Sequence, residues 1–318
     1  MDKIKLYSKQ KNLLPKKIID NEFKYVGHSY GHFNDNTKHK YVNEHVGLTI
    51  DKFGLQLVAN PTSYLKANNI IQINRNELGE FKERFESDLH TNTDNYTLTG
   101  FDYNVDIKTD YPVGSYLSSL NLLPRYKKEI YPSGNGITYS NKCKSFTVYD
   151  KFKQMEEASV CIPSSCSNTN LMRLELGVNS RLNKSINLSK IGTLRDLIQK
   201  DNYISMIDEF EHIYGKIHKQ PLHKFINLTK PHPSVMSTVN FAFVYYINEI
   251  GLDNYYNSLD QEMMMKIISK KTRKTRKDKA IKLWNQYSTL DKNVFDLLAE
   301  MSNKVIKQIQ VNKEAALT

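Results

Sequence analysis

Three stretches of this chain alternate strictly between apolar and polar residues, and the polar side of each carries charge. Thr99–Thr109 sets Phe101, Tyr103, Val105 and Ile107 on one side and Gly100, Asp102, Asn104, Asp106 and Lys108 on the other. Ser145–Lys151 sets Phe146, Val148 and Asp150 against Ser145, Thr147, Tyr149 and Lys151. Leu171–Leu176 sets Met172, Leu174 and Leu176 against Arg173 and Glu175. A period of two is the signature of a half-buried β-strand, because successive side chains leave opposite faces. The three runs therefore predict an antiparallel sheet with one apolar face and one charged face.

Other signals fill in the α+β class. Val46–Asp51 and Leu55–Ala59 read as a hairpin around Asp51-Lys52-Phe53-Gly54, and a helix follows with Asn76 as its cap and Leu78, Phe81, Phe85 and Leu89 at helical spacing. Pro132-Ser133-Gly134-Asn135-Gly136 is a turn that leads into a strand at Ile137–Ser140. From about Leu188 the pattern turns helical: Thr193–Lys200, Asn202–His218, Ser234–Gly251, Gln261–Lys270, Ala280–Tyr287 and Asn293–Val311. The expected division is a basic N-terminal segment (1–40), an α+β domain of antiparallel sheet and flanking helices (41–215), and a mainly helical, basic domain (216–318).

Charge narrows the partners. Lys and Arg number 45 against 34 Asp and Glu, a net of +11, and such a balance in a globular chain points to a polyanion, nucleic acid first. Lys270, Lys271, Arg273, Lys274, Arg276 and Lys277 concentrate six of these charges in eight residues, suited to phosphate contact. The three cysteines form no CxxC pair, which fits a reducing cytoplasm, and no apolar run approaches the ~18 residues of a membrane span. Nor is there a GxxxxGK[ST] phosphate loop or a GxSxG elbow, so nothing in the sequence signals an ATPase or a serine hydrolase.

The charged strand face admits two readings. An open sheet can simply carry solvated ion pairs on its wet side. Alternatively, carboxylates from neighbouring strands can hold Mg²⁺ or Mn²⁺, hard ions that prefer oxygen ligands and neutralise charge on a phosphodiester. A tyrosine hydroxyl beside such a site is a candidate covalent nucleophile, but an ordinary pKa near 10 requires that it be activated by the metal or by Lys151.

The segment Phe146-Thr147-Val148-Tyr149-Asp150-Lys151, followed by Glu156 and then Leu171-Met172-Arg173-Leu174-Glu175-Leu176, resembles the replication initiation endonucleases of single-stranded DNA phages and plasmids. More narrowly, it resembles the filamentous-phage gene II/X replication protein family. Leu55–Ile73 with Ala67-Asn68-Asn69-Ile70, Gly100-Phe101-Asp102, and Arg181-Leu182-Asn183-Lys184 extend the likeness over roughly residues 45–215. The resemblance implies rolling-circle initiation: one strand is nicked, the protein stays joined to the 5′ phosphate through a tyrosine, and the strand is later rejoined. It implies Tyr149 as nucleophile with Lys151 and Arg173 beside it, and Asp102 and Glu175 as ligands of Mg²⁺ or Mn²⁺, with Asp106 and Glu156 as further acids. Arg181, Lys184 and the 270–277 run would contact DNA, and host replication proteins such as a helicase would be partners.

The sequence also departs from the family pattern. Gly177 stands where the family's R-x-E-x-R has its second arginine, with Arg181 as a substitute charge, and Gly100 and Phe101 stand where a basic residue often precedes the aspartate. The His-hydrophobic-His metal motif of many rolling-circle nucleases is missing, and His28 and His32 read as surface or structural residues. Tyr139, one strand back, is the fallback nucleophile. Two other functions compete: a non-enzymatic origin-binding initiator, and a carboxylate-metal nuclease or transposase without a covalent intermediate.

Overall fold

A computed structural model of the protein describes residues 1–30, 37–66, 70, 72–160, 169–179, 192–219, 243, 246–247, 250–288 and 297–317. The chain divides into two compact units, Met1–His218 with Ala299–Thr318, and Lys219–Leu298.

The first unit is built on one ten-stranded sheet, with every neighbouring pair antiparallel. Its strands are β1 (Lys3–Ser8), β2 (Lys24–Tyr30), β3 (Thr37–Val42), β4 (Val46–Asp51), β5 (Gly54–Ala59), β6 (Thr97–Thr109), β7 (Lys127–Ile130), β8 (Gly136–Ser140), β9 (Lys144–Asp150) and β10 (Asn170–Val178). The spatial order is β2-β3-β4-β5-β1-β6-β10-β9-β8-β7. Among the described residues, the helices of this unit are α1 (Lys16–Glu22), α2 (Pro61–Lys66), α3 (Arg75–Asp88), α4 (Val113–Leu117), α5 (Lys151–Glu157), α6 (Leu194–Ile198), α7 (Lys200–Lys216) and most of a last helix (Leu297–Leu317).

The alternating runs form the strands they foretell, and the hairpin at residues 46–59 is present as β4 and β5. Ile4, Leu6, Leu48, Leu57, Phe101, Tyr103, Val105, Phe146, Val148, Leu174 and Leu176 are buried on one face. Helix α7 covers that face: the Phe210 ring meets Tyr103 and Phe146 at centroid distances of 5.5 and 5.1 Å.

Three expectations are corrected here. The basic N-terminal segment is not separate from the domain, because β1 lies between β5 and β6 and joins the two halves of the sheet. Its two core residues, Ile4 and Leu6, are interleaved with lysines in so short a strand that composition hides them. Helix α3 is capped by Asn74 rather than Asn76, in a capping box: Asn74 accepts from the Glu77 N–H and Glu77 accepts from the Asn74 N–H. The helical C-terminal domain does not run to residue 318. The last helix packs onto the sheet unit, where the Tyr116 hydroxyl donates to Glu300 and Asn312 donates to the Tyr103 hydroxyl at 2.7 Å.

The second unit contains α8 (Leu252–Met264) and α9 (Lys270–Ser288), packed around Ile247, Tyr255, Leu259 and Ala280. A helix expected over Gln261–Lys270 is instead the end of α8 and a turn, in which Lys266 takes a left-handed φ of 58°. The helix expected over Ser234–Gly251 falls mostly outside the described residues. Among the described residues, no helix is long and apolar enough to cross a membrane.

Candidate active site

The register of β6, β10 and β9 brings the charged residues onto one face. Arg173 lies opposite Asp106 on one side and Tyr149 on the other, Glu175 opposite Asn104 and Thr147, and Gly177 opposite Asp102 and Ser145. On β1, Lys3 lies opposite Asp102. Directly opposed residues in an antiparallel pair share a face, so Asp102, Asp106, Tyr149, Arg173 and Glu175 all project the same way. Tyr139 does not: it lies opposite Phe146 on the apolar face, its hydroxyl donating to the Asn121 carbonyl at 3.0 Å, and so cannot substitute for Tyr149.

Arg173 is the centre of this arrangement and has no exposed surface. Its Nε and Nη2 donate to the two oxygens of Asp106 at 2.6 Å each, while Nη1 donates to Asp2. Burial alone would lower its pKa, but the Asp106 and Asp2 carboxylates outweigh burial and hold the guanidinium above its usual range. Two guanidinium N–H groups and both Asp106 oxygens are therefore committed to each other, and a third N–H to Asp2, with no part of the guanidinium exposed. The arginine is a positioning residue rather than one that touches a reacting phosphate, and Asp106 is withdrawn from the set of metal ligands.

Glu175 is different. Its Oε2 accepts from the Tyr149 hydroxyl at 3.3 Å, and burial, reinforced by Asp2 and Asp102 and opposed by Arg173 and Lys3, pushes its pKa up to about 7. Tyr149 is 4% exposed. Burial first, then the Glu175 charge, raises its hydroxyl pKa, so the resting tyrosine is a phenol.

Lys151 is not on the strand. The strand stops at Asp150, which caps α5 by accepting from the Lys153 N–H at 3.1 Å, and Lys151 becomes the first helical residue. It nevertheless stays near, its Nζ 5.9 Å from the centre of the Tyr149 ring and donating to Gln154 at 2.9 Å. Burial and the Arg173 charge push its pKa down to about 8, against the pull of Asp2, Asp106 and Glu175. Glu156 is exposed on α5 and does not join the group.

Two contributors lie outside the alternating runs: Asp2, to which no sequence signal points, and Gly177, singled out in the sequence only as a departure from the R-x-E-x-R pattern. Asp2 supplies a second carboxylate to Arg173, with its own N–H bonded to the Asp102 carbonyl. Gly177 makes room for Asp102: a Cβ there would come within 3.0 Å of Asp102 Oδ1 and 2.4 Å of Ser145 Oγ. The space beside Gly177 is thus taken up by the Asp102 carboxylate and the Ser145 hydroxyl.

Among the described residues, no three Asp, Glu, His or Cys side chains converge closely enough to cage an ion. A site of one or two carboxylates completed by water and phosphate is the usual arrangement for Mg²⁺. Asp102 and Glu175, diagonal neighbours on β6 and β10, fit that smaller donor set. The Asp2 Oδ1 and Asn104 Nδ2 atoms beside them are buried without a hydrogen-bond partner, and a bound cation would offset the burial that, ahead of the Asp2 and Asp102 charges, raises the Glu175 pKa. Asp102 is paired with Lys3 at 3.1 Å, through a lysine whose side chain is 46% exposed and has room to swing away.

The remaining sequence candidates lie elsewhere. Arg181 and Lys184 are outside the described residues. The 270–277 run opens α9, where Arg273 and Lys277 pair with Asp260, Arg276 pairs with Glu262, and Lys277 sits 4.6 Å over the Tyr256 ring. Lys270, Lys271 and Lys274 are exposed. No protein-family model matches the chain, and no curated protein matches it either.

Proposed function

We propose that this protein is a rolling-circle DNA replication initiator that nicks one strand and rejoins it through a 5′-phosphotyrosine at Tyr149. The reading rests on the likeness over residues 45–215 and on one observation above all: the Tyr149 hydroxyl donates to Glu175, on the face that also carries Asp102. Tyr149 Oη would attack phosphorus, with the 3′ oxygen as leaving group, and Glu175 is the nearest acceptor for the phenolic proton. Asp102 and Glu175 would hold Mg²⁺ or Mn²⁺, which supplies charge neutralisation at the phosphodiester. Arg173, fixed by Asp106 and Asp2, keeps β6 and β10 in register beneath the site. DNA is the substrate, and the host replication machinery, including a helicase, would act on the nicked product.

The burial of Tyr149 favours a second reading, a carboxylate-metal nuclease with no covalent intermediate. Denaturing electrophoresis of the protein with labelled single-stranded origin DNA and Mn²⁺ separates the two. Wild type should form a covalent adduct, and Tyr149→Phe should form none while still binding DNA. Cleavage without an adduct selects the second reading, and binding with no cleavage leaves a non-enzymatic initiator.

A further inference from the structure

Charge is unevenly spread over the polar sheet face. On β6 and β10 the carboxylates Asp102, Asp106 and Glu175 are mixed with Arg173 and Lys108, whereas β1, β2 and β3 carry lysines and no carboxylate. The register defines the lysine half. Lys40 lies opposite Thr49, Thr49 opposite Gln56, and Gln56 opposite Tyr7, one row of polar side chains across four adjacent strands. The next row runs Lys24, Val42, Gly47, Val58, Lys5 and Gly100. Lys38 shares the face of Lys40, two residues away on β3.

On the reverse side of these strands Ile4, Leu6, Val46, Leu48, Leu55 and Leu57 are buried. The polar rows are not: Lys24, Lys38 and Lys40 are exposed, and Tyr7, Gln56, Thr49 and Gly47 are partly so. The nearby acids are engaged locally. Asp51 accepts from the Phe53 and Gly54 N–H groups in the turn, and Glu44 pairs with His45. Lysines commonly guard the free edge of a sheet. Here only Lys24 is on the edge strand, and Lys38 and Lys40 lie one strand in.

We propose that the polar face of β1–β5 is a track for a DNA single strand, with phosphates on Lys24, Lys38 and Lys40, and the strand passing Lys5 and Lys3 towards Asp102 and Glu175. This rests on the nicking reading for its direction, but its chemistry is only that of a polyanion on a row of cations and hydrogen-bond donors. Thr49 and Gln56 bridge the uncharged interval with neutral donors, beside Tyr7, whose hydroxyl is already donated to the Phe53 carbonyl at 2.8 Å, and Gly47 and Gly100 keep it low.

The test is fluorescence anisotropy with labelled oligothymidylate, in EDTA and in a Tyr149→Phe background, so that neither metal nor nucleophile matters. The triple variant Lys24→Gln, Lys38→Gln, Lys40→Gln should weaken binding by about tenfold or more at ~0.1 M salt. It should also flatten log K against log salt by about 2, at roughly 0.7 per phosphate neutralised. The corresponding arginine triple should keep the wild-type slope. Lys200→Gln, Lys216→Gln, Lys307→Gln removes the same charge from exposed positions on α7 and the last helix, and should leave the slope unchanged. An unchanged slope in the first triple, or an equal loss in the last, overturns the track. If wild type forms no adduct with Mn²⁺ while the first triple still loses affinity, the nicking reading fails and the track stands. If wild type forms the adduct and that triple binds as tightly as wild type, the track fails and the nicking reading stands.

Discussion

Arg173 and Asp106 face each other across β10 and β6 and meet through two parallel bonds of 2.6 Å each, with no part of the guanidinium exposed. A buried pair of this kind is costly to break from one side, because the survivor is left charged and unpaired; about 3–5 kcal/mol is typical. Asp2 retains a hold on Arg173, so Asp106→Ala should fall at the low end, about 3 kcal/mol in urea unfolding. Replacing the whole network, as Asp106→Leu with Arg173→Met and Asp2→Ala, should recover most of that loss, because no buried charge is then left unpaired. A cost below ~1 kcal/mol for the single change would mean the pair is not what anchors the two strands.

Glu175 makes stability fall as pH rises. Its folded pKa of about 7 lies above the ordinary 4.5, so the folded state holds a proton that the unfolded state has released between those values. The stabilisation is complete below about pH 4.5 and is lost as pH climbs to about 7, on the order of 3 kcal/mol in all. Glu175→Gln should remove this slope and be the more stable protein at pH 8, measured by urea unfolding in EDTA. Lys151, pushed down to about 8, acts in the separate window above that value, where stability rises with pH. If the slope below pH 7 survives Glu175→Gln, the group responsible is another carboxylate.

Gly177→Ala tests the room made for Asp102. The new Cβ would come within 3.0 Å of Asp102 Oδ1 and 2.4 Å of Ser145 Oγ, and both are ends of side chains that can turn aside. The fold should therefore survive, with a loss of about 1 kcal/mol or less. Metal-dependent nicking should drop at least about tenfold, the equivalent of ~1.4 kcal/mol in the barrier, because Asp102 is pushed off the Glu175 side. Raising Mn²⁺ should restore part of the rate. Wild-type nicking at low Mn²⁺ would remove Asp102 from the metal site.

The alternating residues at 99–109 and 171–176 made the two central strands and their shared charged face legible, because period two is a local property of sequence. Asp2 was not legible: its partner is 171 positions away, and only the pairing of β1 with β6 brings it to Arg173. The pairing of Asp106 with Arg173 was hidden for the same reason. Both lie on the expected face, but only the register decides which carboxylate the arginine consumes. Lys151 shows the limit of alternation itself, since Asp150 ends the strand by capping a helix, and no periodicity announces a cap one residue early.

The basic run at 270–277 divides into two sets with different expected behaviour. Arg273, Arg276 and Lys277 face α8, where Asp260 and Glu262 already neutralise them. Lys270, Lys271 and Lys274 are exposed on α9. If the run grips duplex phosphates, the second set should carry most of the salt dependence. Replacing Lys270, Lys271 and Lys274 with Ala should weaken duplex binding alike for all sequences and flatten the salt slope by up to about 0.9 for each phosphate no longer neutralised. Arg273→Ala with Arg276→Ala should change the slope less and lower the melting temperature instead, because it loosens α8 from α9. Nicking of a short single strand at saturating concentration should persist in both variants, since Tyr149, Asp102 and Glu175 all lie in the other unit. Equal slopes for wild type and the lysine triple would return the run to a solvated helix face. Loss of nicking at saturation, with both units folded, would show that the second unit takes part in the chemistry.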